Sequence, residues 1–391
     1  MKYIVLVSSV LIQMCLGGLY AWSTFVPSLR NDYDLTTAQT QLIFGLMIAV
    51  FTVVMNFAGR MQEKWGPRPV VIISGILFFS GYLVASQSDG QFLLLLLGIS
   101  VIAGAGTGFG YVCPLATCMK WFPKRKGLVT GITVGAFGSG AILLSWVVDR
   151  LMVQNINTLE IFRWIGIGYG LLILTASFFM KAPQKTLAAT TVPHIKFVRL
   201  FKERAFWGAI AGMLTGTFTG LLIIGNLKPI ALSFDFTPAA AALAITTFSI
   251  GNALGRICWG WIADRYHERT LMASLIFLAV SALILSFTGV SMGFFLIVSL
   301  LVGFGFGACF VLYATLVANR YGTSQVGIIY PLIFLAYGFS AIVGPTIGGS
   351  LYDLIGGYIE AIWISAAIAA IGAIIVWLLF RAPRAYYKSI D

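Results

Sequence analysis

The stretch 251-GNALGRICWGWIADRYHER-269 begins as a strongly apolar helix and ends in a charged loop. Arg256 lies inside the apolar part, eight residues before Asp264, which is about 12 Å along a helix axis. That depth is well inside a hydrocarbon layer about 30 Å thick. Arginine stays charged at any physiological pH. Burying one at that depth costs at least ~2.5–3.5 kcal/mol even on the lenient insertion scale. A residue kept at that cost is a functional candidate, and its natural partner is an anion.

Composition shows that the chain crosses a membrane. Its 391 residues are 59% hydrophobic and 10% charged, against about 25% charged in soluble domains. Mean hydropathy is +0.94, and apolar runs of about 20 residues recur throughout, as in a polytopic α-helical membrane protein. A β-barrel would show shorter, alternating segments. The net charge of +12 does not indicate nucleic acid, because the charge is sorted by loop. Twenty of the 25 Lys and Arg lie at the two ends of the chain and in alternate loops, such as Arg60, Lys64 and Arg68 or Lys120, Lys124, Arg125 and Lys126. Arg30, Arg150 and Arg163 lie at opposite helix ends, and Lys228 and Arg256 lie within helices. This asymmetry predicts cytoplasmic N- and C-termini. Cys15, Cys113, Cys118, Cys258 and Cys309 all sit in apolar runs, so neither a disulfide nor a metal site is expected. Residues 3–29 are too long for a signal-peptide core and lack a small-residue cleavage site, so they read as a retained span.

Twelve spans are predicted, near 3–29, 39–60, 69–87, 92–119, 127–149, 162–181, 205–229, 238–263, 270–289, 292–318, 326–352 and 358–380. The basic, Pro-containing stretch 182–204 reads as a cytoplasmic linker between six-helix bundles at 1–181 and 205–391. The two halves repeat. Gly59, Glu63, Gly66 and Arg68 after span 2 correspond to Gly260, Asp264, His267 and Arg269 after span 8, offset by 201. AFGSGAI at 136–142 corresponds to AYGFSAI at 336–342, and Gly18 with Pro27 to Gly220 with Pro229, at offsets of 200 and 202. GAGTGFG at 104–110 in span 4 is echoed by GFGFG at 303–307 in span 10. In both copies of the signature an acid stands at a helix end near basic residues. It could pair with them or cap a neighbouring helix N-terminus, locking one conformation. Gly59, Glu63, Arg68, Gly260, Asp264 and Arg269 are therefore candidates for a conformational latch, against ordinary loop charge pairing.

Two homologous six-helix halves joined by a basic linker resemble the major facilitator superfamily, whose signature G-x-x-x-D-x-x-G-R-[K/R] the two loops approximate. Glu63 departs from its Asp, and Pro67 and Glu268 interrupt its basic run. Within it the sequence looks like the oxalate/formate antiporter family and related monocarboxylate transporters. Tyr-Ala-Trp-Ser in span 1, Lys120-Trp-Phe-Pro-x-Arg-x-Gly127 after span 4 and Asn252-x-x-x-Arg256 in span 8 carry this resemblance. It implies an all-α fold with 12 transmembrane helices and a substrate site near the midplane.

On span 8, Ser249, Asn252 and Arg256 share a helical face, which should turn to the bundle interior. No Asp or Glu lies in the middle of any span, so Arg256 lacks a protein counter-ion and a substrate carboxylate is its candidate partner. Tyr330, Phe334 and Tyr337 make an aromatic face on span 11, and Tyr111 adds a hydroxyl on span 4. Plain packing is the competing reading, strongest for Phe334. A hydroxyl at membrane depth, by contrast, needs a partner. The substrate-binding candidates are Arg256, Asn252, Tyr111, Tyr337, Tyr330 and Phe334. Relatives that exchange oxalate carry a Lys on the span-11 face where Tyr337 aligns. A single midplane cation suits a monoanion. Lys228 near the outer end of span 7 could snorkel towards Asp235.

The expected function is a secondary transporter of a small monocarboxylate of the lactate, pyruvate or formate type, by alternating access. Both proton symport and anion exchange remain open, since Asn252 stands where some relatives carry an acid and both His lie outside the midplane. The rivals are an exchanger of oxalate or other dicarboxylates, or a transporter of another small metabolite or drug. No nucleotide-binding motif or membrane-depth catalytic constellation is present, so neither a cofactor nor enzymatic activity is expected. The resemblance implies a monomer in a bacterial-type inner membrane.

Overall fold

In the computed structural model, residues 1–183, 200–355 and 357–380 are described. They form helices with no strand among the described residues. Ten helices are long and apolar enough to cross a membrane. Pro238–Tyr266 and Arg269–Leu285 take the places of spans 8 and 9, completing twelve. Of the expected linker, residues 184–199, with Lys185, His194, Lys196 and Arg199, lie outside the described residues. So do Arg381, Arg384 and Lys388.

Several helices run beyond their predicted ends. Span 2 is Thr37–Trp65 and span 8 is Pro238–Tyr266. Gly59, Gly260 and both signature acids are therefore helical rather than in loops, because backbone hydrogen bonds within a helix do not stop at the hydrocarbon boundary. What stops them is a left-handed residue. Gly66 has φ +83° and His267, at the matching repeat position, has φ +51°. Asp34 and Asp235, also 201 apart, close spans 1 and 7 at φ +54° and +58°. The repeat is thus written into the backbone at its least favourable conformations for an L-residue.

Two spans are interrupted. Span 1 is Lys2–Gly17, a 3-10 turn Gly18–Ala21, and Trp22–Tyr33. Adjacent Gly17 and Gly18 have low helix propensity. Gly17 also lies against the Phe137 carbonyl of span 5, where a Cβ would collide. Span 4 passes from Phe92–Leu95 through a π-helical stretch, Leu96–Ala103, into Gly104–Trp121. In the turn weakened by Pro114, the Gln13 amide donates to the Tyr111 carbonyl at 2.9 Å. Gln62 Nε2 donates to the Cys113 carbonyl at 3.4 Å. Polar side chains thus satisfy backbone that a lipid-embedded helix cannot leave open.

The halves meet along two seams, span 5 with span 8 and span 2 with span 11. At the end carrying the basic loops, Gly127 lies against Gly260 and Gly59 against Gly327, backbone on backbone. Side chains at these positions would hold the helices apart. Farther in, Gly131 packs on the Arg256 carbonyl and Gly338 on Thr52. The seams bring Arg256 of the second half against span 5 of the first.

Candidate functional site

Arg256 is fully buried, with 0% exposure. Its Nε donates to Asn252 Oδ1 at 2.7 Å, one helical turn back. Its Nη1 donates to the Val134 carbonyl of span 5, across the interface between halves, also at 2.7 Å. The guanidinium lies 4.3 Å over the Phe310 ring of span 10, a cation–π contact. On its other side a methyl group at Gly138 would stand only 3.3 Å from Cζ. The cation is thus clamped between an aromatic face of one half and a side-chain-free backbone of the other. None of the three ion pairs found among the described residues involves it. Nη2 is buried without a hydrogen bond of full geometry, and the guanidinium also interacts with the Tyr20 hydroxyl. The group is oriented with part of its donor edge uncommitted, the arrangement a carboxylate could complete.

Around this cation the structure collects an aromatic box. Tyr111 stacks on Phe334 with ring centroids 5.3 Å apart, and Phe334 lies 5.2 Å from Tyr330 and 5.0 Å from Tyr337. Phe310 meets Tyr337 edge-on at 5.2 Å. The Tyr330 hydroxyl donates to the Phe310 carbonyl at 3.1 Å, so that phenol braces the platform beneath the guanidinium. The Tyr111 hydroxyl is buried without a hydrogen bond of full geometry and interacts with the Tyr330 hydroxyl. The Arg256 charge reaches the hydroxyls of Tyr20, Tyr111, Tyr330 and Tyr337.

All six sequence-predicted binding residues therefore cluster. Ser249 does not join them. It is half-buried and its Oγ bonds back to the Ile245 carbonyl at 2.8 Å. It shares the helical face of Arg256 but sits two turns farther along, clear of the box. Lys228 is exposed and makes no ion pair with Asp235 among the described residues. Sequence reasoning missed Tyr20 and Phe310. Tyr20 sits on the 3-10 turn of span 1 and its hydroxyl is 2.6 Å from that of Tyr337, joining the halves. Its only sequence signal was the Tyr-Ala-Trp-Ser motif. Phe310 had none, being one apolar residue in an apolar span.

The latch candidates separate into unlike roles. Asp264 caps the N-terminus of the Lys126–Val153 helix across the seam, with Oδ1 2.7 Å from Gly127 N and Oδ2 2.9 Å from Leu128 N. Lys126 Nζ donates to the Ala318 carbonyl of span 10 at 3.1 Å, a second tie across the seam. Glu63, its repeat partner, instead pairs with Lys120 inside the first half at 2.7 Å. Arg68 lies 4.7 Å over the Phe178 ring, and Arg269 opens span 9 exposed. The two alternatives foreseen for the acids, pairing and capping, are thus each taken by one copy.

The sequence model of the Major Facilitator Superfamily matches residues 6–227 and again 209–390. The chain belongs to the Major Facilitator Superfamily. It is 27% identical over 347 residues to the uncharacterized MFS-type transporter YhjX of Escherichia coli (strain K12), covering 87% of this chain and 86% of that protein. It is 23% identical over 394 residues to the oxalate:formate antiporter of Oxalobacter formigenes, covering 98% and 92%. It is 25% identical over 379 residues to human monocarboxylate transporter 11, covering 91% and 78%. The fold of this superfamily member is also that of the MFS proton:xylose symporter XylE bound to 6-bromo-6-deoxy-D-glucose. The TM-score is 0.73 at 12% identity, over 96% of this chain and 95% of that one. The chain is thus an integral membrane protein of a transporter superfamily, with the helical architecture that its apolar runs predicted.

Proposed function

We propose that this chain moves a small monocarboxylate across a membrane by alternating access, with Arg256 as the carboxylate ligand. One observation carries the reading: Arg256 is a wholly buried guanidinium with no acid beside it, held by Asn252 and Val134 so that Nη2 makes no hydrogen bond of full geometry. A structural arginine at this depth would be expected to be paired, since an uncompensated buried charge is costly. The oxalate:formate antiporter and monocarboxylate transporter 11 among its relatives point the same way. Tyr111, Tyr330, Tyr337, Asn252 and the ring of Phe334 shape and brace the pocket. The moving bodies are residues 1–181 and 205–391, joined by the linker 182–204. The Asp264 cap and the Gly59–Gly327 and Gly127–Gly260 contacts form the latch on the cytoplasmic face. The protein works as a monomer in a bacterial-type inner membrane with both termini cytoplasmic, by proton symport or anion exchange and without a cofactor.

A counterflow screen of mono- and dicarboxylates in proteoliposomes, with and without a pH gradient, tests this reading. Exchange of a labelled monocarboxylate is expected. Flux confined to sugars or other neutral solutes would sink it. The monoanion preference has its own test at Tyr337, whose hydroxyl engages Tyr20 rather than presenting a charge. Tyr337→Lys adds a second cation beside Arg256, so oxalate should become a competitor at least about tenfold more potent than against wild type, the worth of one charge-assisted hydrogen bond. If oxalate still does not compete, a single midplane cation is not what selects the substrate.

A further inference from the structure

We propose that the pocket selects 2-oxo monocarboxylates over their 2-hydroxy counterparts, an inference that rests on Arg256 being the carboxylate ligand. The ground is the balance of donors and acceptors around the guanidinium. Three carbonyl oxygens around the guanidinium each already accept one hydrogen bond. Asn252 Oδ1 receives Arg256 Nε, the Val134 carbonyl receives Nη1, and the Phe310 carbonyl receives the Tyr330 hydroxyl. What is left over are donors. Arg256 Nη2 and the Tyr111 hydroxyl are both buried, at 0% and 1% exposure, and neither makes a hydrogen bond of full geometry, although the guanidinium also interacts with the Tyr20 hydroxyl and the Tyr111 phenol with that of Tyr330. The Tyr20–Tyr337 pair needs one of its two hydroxyl protons for the bond between them, which leaves the other to donate.

A 2-oxo acid carries acceptors only. Its carboxylate takes the free edge of Arg256, and its keto oxygen takes a phenol proton. The path from cation to phenol is continuous, since Arg256 lies on Phe310, Phe310 is 6.2 Å from Phe334, and Phe334 stacks on Tyr111. A 2-hydroxy acid adds a donor to this donor-rich box. It must be received by a phenol oxygen or by the second lone pair of a carbonyl that already accepts a bond, and the Tyr111 proton then competes with the substrate for the carboxylate. A buried polar group without its complement is what makes such sites discriminate.

The test is competition against labelled pyruvate counterflow by unlabelled pyruvate, lactate and propionate. Pyruvate should be about tenfold more potent than lactate, the usual worth of one hydrogen bond. Tyr111→Phe should cost pyruvate more than propionate, narrowing the pyruvate-to-lactate ratio to below about threefold. Equal potency of pyruvate and lactate in the wild type overturns the proposal. So does an equal loss for all three acids in Tyr111→Phe. Arg256→Ala separates the two levels: if it still takes up pyruvate, the carboxylate assignment falls and this inference with it. If it abolishes uptake while the wild type does not discriminate, only the 2-oxo preference falls.

Discussion

Arg256→Lys is expected to lower monocarboxylate uptake by at least about 100-fold even though the charge is kept. The guanidinium does four things at once. It donates to Asn252, donates to Val134, lies over Phe310 and, on the proposed reading, offers Nη2 to the carboxylate. An ammonium is a point donor without a plane. It can hold one or two of these contacts, at the expense of presenting an edge to the carboxylate. Loss of a bidentate charge-assisted pair, at about 1.5–3 kcal/mol per hydrogen bond, gives the expected factor. Arg256→Met separates function from folding. A buried charge with no acid beside it contributes little to stability, and a hydrophobic replacement of similar length is often neutral or stabilising. Arg256→Met should therefore melt within a few degrees of wild type while uptake is lost. Unfolded or strongly destabilised Arg256→Met would show that the residue holds the bundle together and is no ligand. Robust uptake by Arg256→Lys would show that shape is irrelevant at this position.

Asp264→Asn should loosen the cytoplasmic seam far more than Glu63→Gln, although the two acids occupy the same position of the repeat. The Asp264 carboxylate satisfies two orphan amides at the N-terminus of span 5 and belongs to the opposite half. Such a cap is worth about 0.5–2 kcal/mol, and the charge at a helix N-terminus adds up to a further ~2 kcal/mol where partly buried. Removing the charge therefore shifts an open–closed equilibrium by about 10–100-fold. Glu63 bonds Lys120 within one half, and both side chains are about a fifth exposed. A pair of that kind is worth ~0–1 kcal/mol and does not report on the seam. Hydrogen exchange of the peptide covering 126–132 should accelerate in Asp264→Asn and stay near wild type in Glu63→Gln, with uptake reduced about tenfold in the first only. Matching exchange in the two variants would refute an asymmetric latch. The asymmetry also implies that the span 2–span 11 seam, closed by Gly59 on Gly327 without an acid cap from Glu63, is the weaker of the two.

Much of this was legible before any coordinates. Span number followed from hydropathy, because a ~30 Å apolar layer demands about 20 apolar residues per crossing. The duplication followed from matched positions, and it reappears in the backbone at Asp34 and Asp235 and at Gly66 and His267. Arg256 stood out because its cost is set by depth alone, and the lack of a midplane acid can be counted in a string. Tyr330 and Tyr337 were singled out by helical spacing, and Tyr111 by a hydroxyl at membrane depth. The helix ends past Arg60 and Ala263 were missed because hydropathy marks where lipid ends, whereas a helix ends where the backbone turns left-handed.

Sequence alone therefore determined the architecture, the repeat and the buried cation, all of which depend on local period, composition and depth. The tertiary structure decided the partners. Tyr20 meets Tyr337 across 317 positions of chain, Arg256 reaches Val134 across 122, and Asp264 rather than Glu63 caps a helix of the other half. No period or spacing encodes such pairings. They arise from how glycine-lined helices from two halves slide into contact, and a shift of one residue along either seam would exchange every partner. The orientation of Arg256 within its box exists only once those partners are set.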